Sequence, residues 1–135
     1  MVNYSIQAKK TKIRGHKKVG LRRDVVEYDS RLEARVAQCL LRDDVYFEPH
    51  KKYDVFHRNG DRFSYTIDFD LCRPYKLKGV SDLVSAVEVK GVLKGHDFDR
   101  KDAWEYRTDR NMWIATTALV RYWYDEGIVE AKYQR

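Results

Sequence analysis

Ten residues, Arg62 to Leu71, alternate without a break: Phe63, Tyr65, Ile67, Phe69 and Leu71 are apolar, and Arg62, Ser64, Thr66, Asp68 and Asp70 are polar. A period of two belongs to a β-strand with one covered face, because successive side chains point to opposite sides of a pleated backbone. The run follows Arg58-Asn-Gly-Asp61, and Asn-Gly accepts the positive φ that tight hairpins need. Residues 46–56 before the turn are also strand-like, with an interruption near Pro49. The pair predicts an antiparallel hairpin at the centre of the chain.

Around it the pattern mixes periods. Leu32, Val36, Cys39 and Leu40 recur at helical spacing up to about Arg42, and Ser30-x-x-Glu33 fits a capping box at the start of that helix. After a loop around residues 76–79, Ser85-Ala-Val-Glu-Val-Lys-Gly91 reads as a strand with Val87 and Val89 on one face and Glu88 and Lys90 on the other. Residues 98–109 read as a helix anchored by Trp104 and Tyr106, and 112–116 as a short strand. Residues 118–124 fit a helix or a strand, ended by Gly127. Helix, hairpin, strand, helix, strand predicts an α/β fold, a central mixed β-sheet flanked by helices, with a strand–helix–strand parallel pair.

The 135 residues suit one domain, and 43% hydrophobic content supports a core. The net charge is +6, unevenly placed: residues 1–23 hold eight Lys or Arg and no acid, while the rest holds 19 basic and 21 acidic residues, a sum of −2. The expected organisation is a basic N-terminal arm over 1–23 and a single domain over 24–135. Lys9, Lys10, Lys12, Arg14, Lys17, Lys18, Arg22 and Arg23 form the arm's cationic set, suited to phosphate contacts or simply solvated. No amphipathic apolar stripe accompanies them, which argues against a membrane surface. No run approaches 18 apolar residues and no signal-peptide h-region opens the chain, so the expected location is intracellular, in the cytoplasm. Cys39 and Cys72 stand alone, without metal or disulfide spacing, and are expected to be buried thiols.

Charges in a buried strand are costly unless paired or metal-bound. If the 62–71 and 84–91 strands are neighbours, Asp68, Glu88 and Lys90 meet at one sheet edge. Two carboxylates are hard oxygen donors suited to Mg²⁺, with Mn²⁺ as a substitute, and a lysine beside them can orient a water or offset developing negative charge. Asp70 lies on the same strand face as Asp68 and competes with it. His16, His50, His57 and His96 show no metal-binding spacing. Lys94, Arg100, Lys101 and Arg107, in and after the loop that follows Lys90, are candidate phosphate contacts or a solvated face.

Tyr65-Thr-Ile-Asp-Phe69 followed by Val87-Glu-Val-Lys-Gly91 resembles the PD-(D/E)XK, or restriction-endonuclease-like, nuclease superfamily. The likeness is greatest to transposon end-cleaving nuclease subunits and to Holliday-junction resolving endonucleases, and spans residues 28–117. In that group an early helix carries a Glu, here Glu33, then a hairpin ends in Tyr-x-Pro-Asp-Phe, then comes the Glu-x-Lys strand. Ile67 stands where the Pro usually does. The resemblance implies a restriction-endonuclease-like fold. Asp68, Glu88 and the Val89 carbonyl would hold a metal, Lys90 would assist the attacking water, and Glu33 would be an outer ligand. As a capping-box member Glu33 would instead turn back to the Ser30 amide. The expected activity is Mg²⁺-dependent DNA endonuclease, on branched DNA or in recombination or transposition, acting as a homodimer or with other recombination proteins. The rival expectation is a non-catalytic nucleic-acid-binding module with a structural Glu88–Lys90 pair.

Overall fold

The computed structural model describes residues 11–16 and 23–130, with side chains from Tyr28 onward. The elements in order are β1 (Thr11–His16), β2 (Arg23–Tyr28), α1 (Arg31–Arg42), β3 (Phe47–Phe56), β4 (Arg62–Lys76), β5 (Leu83–Val89), α2 (Gly95–Thr108), β6 (Met112–Ala115) and α3 (Thr117–Glu126). β1 and β2 form a two-stranded antiparallel sheet beside α1, a hairpin that crosses the boundary expected at residue 23. The main sheet runs β3-β4-β5-β6, antiparallel except for the parallel β5–β6 pair joined through α2. The described residues are therefore α/β, with a mixed sheet flanked by three helices, the third of them over the stretch that the sequence left as helix or strand. No helix among the described residues is long and apolar enough to cross a membrane.

Local chemistry explains the element ends. The Ser30 hydroxyl accepts the Glu33 N–H at 3.1 Å and starts α1. The hairpin turns over residues 57–61, where Gly60 takes φ +93° and the Asn59 side-chain oxygen accepts the Asp61 N–H at 2.9 Å. The ambiguous tail is α3, whose C-terminal carbonyls of Trp123 and Tyr124 accept Arg42 at 2.8 and 2.9 Å. β4 runs five residues further than Leu71, through a register shift between Asp70 and Tyr75 that accommodates Pro74. α2 begins at Gly95, three residues before Phe98. Cys39 is buried, and burial pushes its thiol up to about 11, but Cys72 is only half-buried.

The apolar residues of β4 serve two cores. Phe69 and Leu71 join Phe47, Val87, Trp123 and the buried face of α1 in the larger cluster. Tyr65 and Ile67 join Val55, Ala86, Met112 and Trp104 of α2 in a smaller one. The hairpin extends past the C-terminal end of β5, and there it packs on α2, with the Tyr53 and Trp104 rings edge to face at 5.8 Å. The exchange between cores falls at Asp68.

Candidate active site

At that junction the sheet opens. The β4–β5 ladder runs as far as Phe69 opposite Val87, and the next pair in the same register is Asp68 opposite Glu88. There side chains replace ladder bonds: the Asp68 N–H donates to Glu88 Oε1 at 2.6 Å, and the Val89 N–H donates to Asp68 Oδ2 at 2.7 Å. β5 meanwhile stays joined to β6, and the Lys90 N–H donates to the Ala115 carbonyl at 3.0 Å. The two strands part around a pair of carboxylates. Sequence spacing placed Asp68, Glu88 and Lys90 together, and the fold brings them together.

The same row continues into β3. Pro49 pairs with Phe69 and Lys51 with Ile67, while His50, which falls between them opposite Asp68, is missing from the pairing. His50 has φ +56°. Its Nε2 lies 2.6 Å from Glu33 Oε1, and its ring sits 5.6 Å from that of Tyr28. Glu33 is buried. Only the Ser30 half of the capping box forms, because the Glu33 carboxylate reaches His50 instead of turning back. The sequence named His50 without giving it a role; its one signal was the neighbouring Pro49, which marked a break in the strand.

Lys90 projects its ammonium between two acids, 3.9 Å from Glu88 Oε2 and 3.8 Å from Asp97 Oδ1. Asp97 is buried in the first turn of α2, where its other oxygen accepts the Lys94 N–H at 2.9 Å. Spacing alone could not single it out, since an acid in a helix's first turn is ordinary. Asp70 leaves the competition with Asp68. It is fully buried, 2.7 Å from Arg110 Nη2, and accepts the Tyr53 hydroxyl.

Electrostatics follow from this crowding. Burial, then the charges of Glu88 and Glu33, push the Asp68 carboxyl well above the usual carboxylate range. Burial also raises Glu88, opposed by the Asp68 N–H, Lys90 and the Tyr65 hydroxyl. The hydrogen bond to Glu33 raises His50 against the cost of its burial.

Of the remaining candidates, Lys94 is exposed at the start of α2, and Lys101 is paired with Glu105 at 3.1 Å. Lys12 and Arg14 fall on β1 and Arg23 on β2. Lys9, Lys10, Lys17, Lys18 and Arg22 lie outside the described residues.

Among the described residues, no three His, Cys, Asp or Glu side chains already form a cation cage. The donor chemistry nonetheless fits a divalent cation: burial raises both carboxyls, the Glu88 charge raises Asp68 further, and positive charge relieves both. No family model matches the sequence, and no curated protein or solved structure matches the chain.

Proposed function

We propose that the protein is a metal-dependent phosphodiester hydrolase, a DNA endonuclease of the PD-(D/E)XK type with a restriction-endonuclease-like fold. The observation that carries this reading is the parting of β4 and β5 around Asp68 and Glu88, with the Lys90 ammonium 3.9 Å from Glu88. The order of elements also agrees: a helix bearing Glu33, a hairpin ending at Asp68, then the Glu88-x-Lys90 strand.

Asp68 and Glu88 would hold the cation, Mg²⁺ or Mn²⁺, with the Val89 carbonyl as a third donor. When bound, the cation polarises the scissile phosphate and acidifies a water. The chain's own groups do the rest. Lys90, held between Glu88 and Asp97, orients the attacking water and offsets the charge that develops on the phosphate. Glu33 and His50 close the side of the site nearest α1. Substrate affinity comes from phosphate contacts by Lys94 and the basic residues of 1–23, with Lys101 further along α2. On this reading the substrate is DNA cut according to its structure, as at branched DNA in recombination or transposition. A homodimer would supply two sites for paired cuts. Such a role lies in the cell interior.

The rival reading, a non-catalytic DNA-binding module, draws on the ion pairs that Lys90 already makes with Glu88 and Asp97. Incubation with plasmid and with synthetic four-way junctions, in Mg²⁺ and in EDTA, separates the two. The nuclease reading expects Mg²⁺-dependent cleavage, lost in Asp68→Asn and Glu88→Gln and reduced about 10²–10³-fold in Lys90→Ala. Binding without metal-dependent cleavage on any substrate would overturn it.

A further inference from the structure

His50 is a feature of the site that no motif accounts for. Non-glycine residues at positive φ are uncommon and cluster where a structure over-determines them. Two others here, Asp44 and Asp109, stand at the ends of α1 and α2, where a left-handed residue is an ordinary helix stop. His50 sits inside β3, flanked by residues in regular register. Its left-handed backbone takes the place of a ladder pair with Asp68, and its side chain reaches Glu33 on a different element at 2.6 Å. Glu33 is buried beside His50, which itself stands opposite Asp68.

We propose that His50 is a positioning residue: its imidazole N–H fixes the Glu33 carboxylate against Asp68 and Glu88, making Glu33 the third carboxylate of a divalent-cation site rather than a helix cap. The inference rests on the metal-dependent reading above and adds the residue that completes it. Three observations converge. The capping bond that would claim Glu33, from the Ser30 N–H to its carboxylate, is not made, although Ser30 caps the helix. The His50 ring packs at 5.6 Å from the Tyr28 ring, itself fully buried against Phe69 at 5.8 Å. Finally, His50 uses one nitrogen on one oxygen of Glu33, so the second oxygen is not spent on the same bond. Outer hydrogen bonds of this kind set the orientation of ligating carboxylates, and their loss typically costs 10–100-fold in metal affinity.

The test is Mn²⁺ binding, followed by the free-Mn²⁺ paramagnetic resonance signal, so that the readout does not depend on cleavage. His50→Gly keeps a residue suited to φ +56° while removing the donor. We expect it to weaken Mn²⁺ binding about 10–100-fold. Glu33→Ala should weaken binding by a similar factor, and the double variant should be no worse than the weaker single one, as for two residues acting as a unit. His50→Gln, whose amide nitrogen falls near the Nε2 position, should restore most of the affinity. If glycine unravels the strand by circular dichroism, His50→Asn serves in its place, since it tolerates the left-handed backbone and ends short of Nε2. Wild-type affinity in a folded His50→Gly or His50→Asn protein overturns the inference while leaving the nuclease reading intact. Wild-type protein that binds no Mn²⁺, or binds it equally as Asp68→Asn, overturns both.

Discussion

Asp68 is a carboxyl that the fold disfavours in its charged form. Desolvation and two neighbouring acids raise its pKa from the ordinary 3.8, so its contribution to stability is full below the unfolded value and is lost as pH rises through the folded one. At neutral pH the metal-free protein therefore carries an unfavourable term that Asp68→Asn removes. The expected outcome is a gain of about 0.5–2 kcal/mol in EDTA, a trade of stability against function. Mg²⁺ should raise the melting temperature of wild type and leave Asp68→Asn unmoved; thermal melts in EDTA and Mg²⁺ between acid and neutral pH check both. Asn at 68 that destabilises the metal-free protein at neutral pH would show that the site is a structural ion cluster. Asp97 offers a complementary residue-scale case. Asp97→Asn keeps an oxygen for the Lys94 N–H but removes the charge 3.8 Å from Lys90. Stability should change by less than about 0.5 kcal/mol, as for substitutions that spare packing. Cleavage should fall about tenfold at unchanged Mn²⁺ affinity, a modest share of what such an electrostatic group is worth. A cleavage rate equal to wild type would leave Lys90 without need of its second anchor.

At the scale of elements, β3, β4 and β5 are tied together beside the opening by Arg110. Its guanidinium bonds Asp70 Oδ1 at 2.7 Å, the Tyr53 hydroxyl at 3.2 Å and the Ser85 carbonyl at 3.2 Å, and lies over the Trp104 ring. Arg110→Ala leaves the fully buried Asp70 with only the Tyr53 hydroxyl and Lys51 at 3.9 Å. The expected cost is about 3 kcal/mol, the lower end for breaking a buried pair, read from urea unfolding; a loss below about 0.5 kcal/mol would mean the charge is not confined. The sequence showed β3 to β5 because each has a local cause: the Asn59-Gly60 turn, the alternation of 62–71 and the Val87/Val89 face are written in neighbouring residues. It could not show that Phe69 and Ile67, two residues apart on one apparent face, serve different cores. That division comes from the hairpin outrunning β5 and packing on α2, a long-range event that periodicity does not register. The separation of Asp68 from Asp70 was hidden for the same reason, since Arg110 lies 40 residues beyond Asp70. Glu33 could be read only as a cap or a ligand, because the partner that takes its carboxylate, His50, is 17 residues away. The helix over 117–126 escaped because its apolar residues fit either period, and Arg42, which holds its end, comes from α1.

At the scale of the molecule, the first hairpin and the candidate site meet. Register pairs Thr11 with Tyr28 and Lys12 with Glu27, and Tyr28 is the residue whose ring contacts His50. The start of β1 therefore lies at the end of the hairpin nearest His50. On the nuclease reading, the basic residues of 1–23 hold the duplex through its phosphates. Phosphate contacts of this kind are sequence-independent and release counterions, so the slope of log affinity against log salt falls by about 0.9 for each contact removed on B-form DNA. Lys9→Gln with Lys10→Gln should weaken binding to linear duplex and four-way junction alike and lower the slope by about 2, measured by fluorescence anisotropy across a salt series. Because the two lysines precede the strand that reaches Tyr28, cleavage at subsaturating DNA should fall in proportion to the lost affinity, while the rate at saturation and the Mn²⁺ affinity stay at wild-type values. An unchanged salt slope would remove 9 and 10 from the DNA contact. A fall in the saturating rate with affinity intact would instead assign them to the chemistry at Asp68 and Glu88.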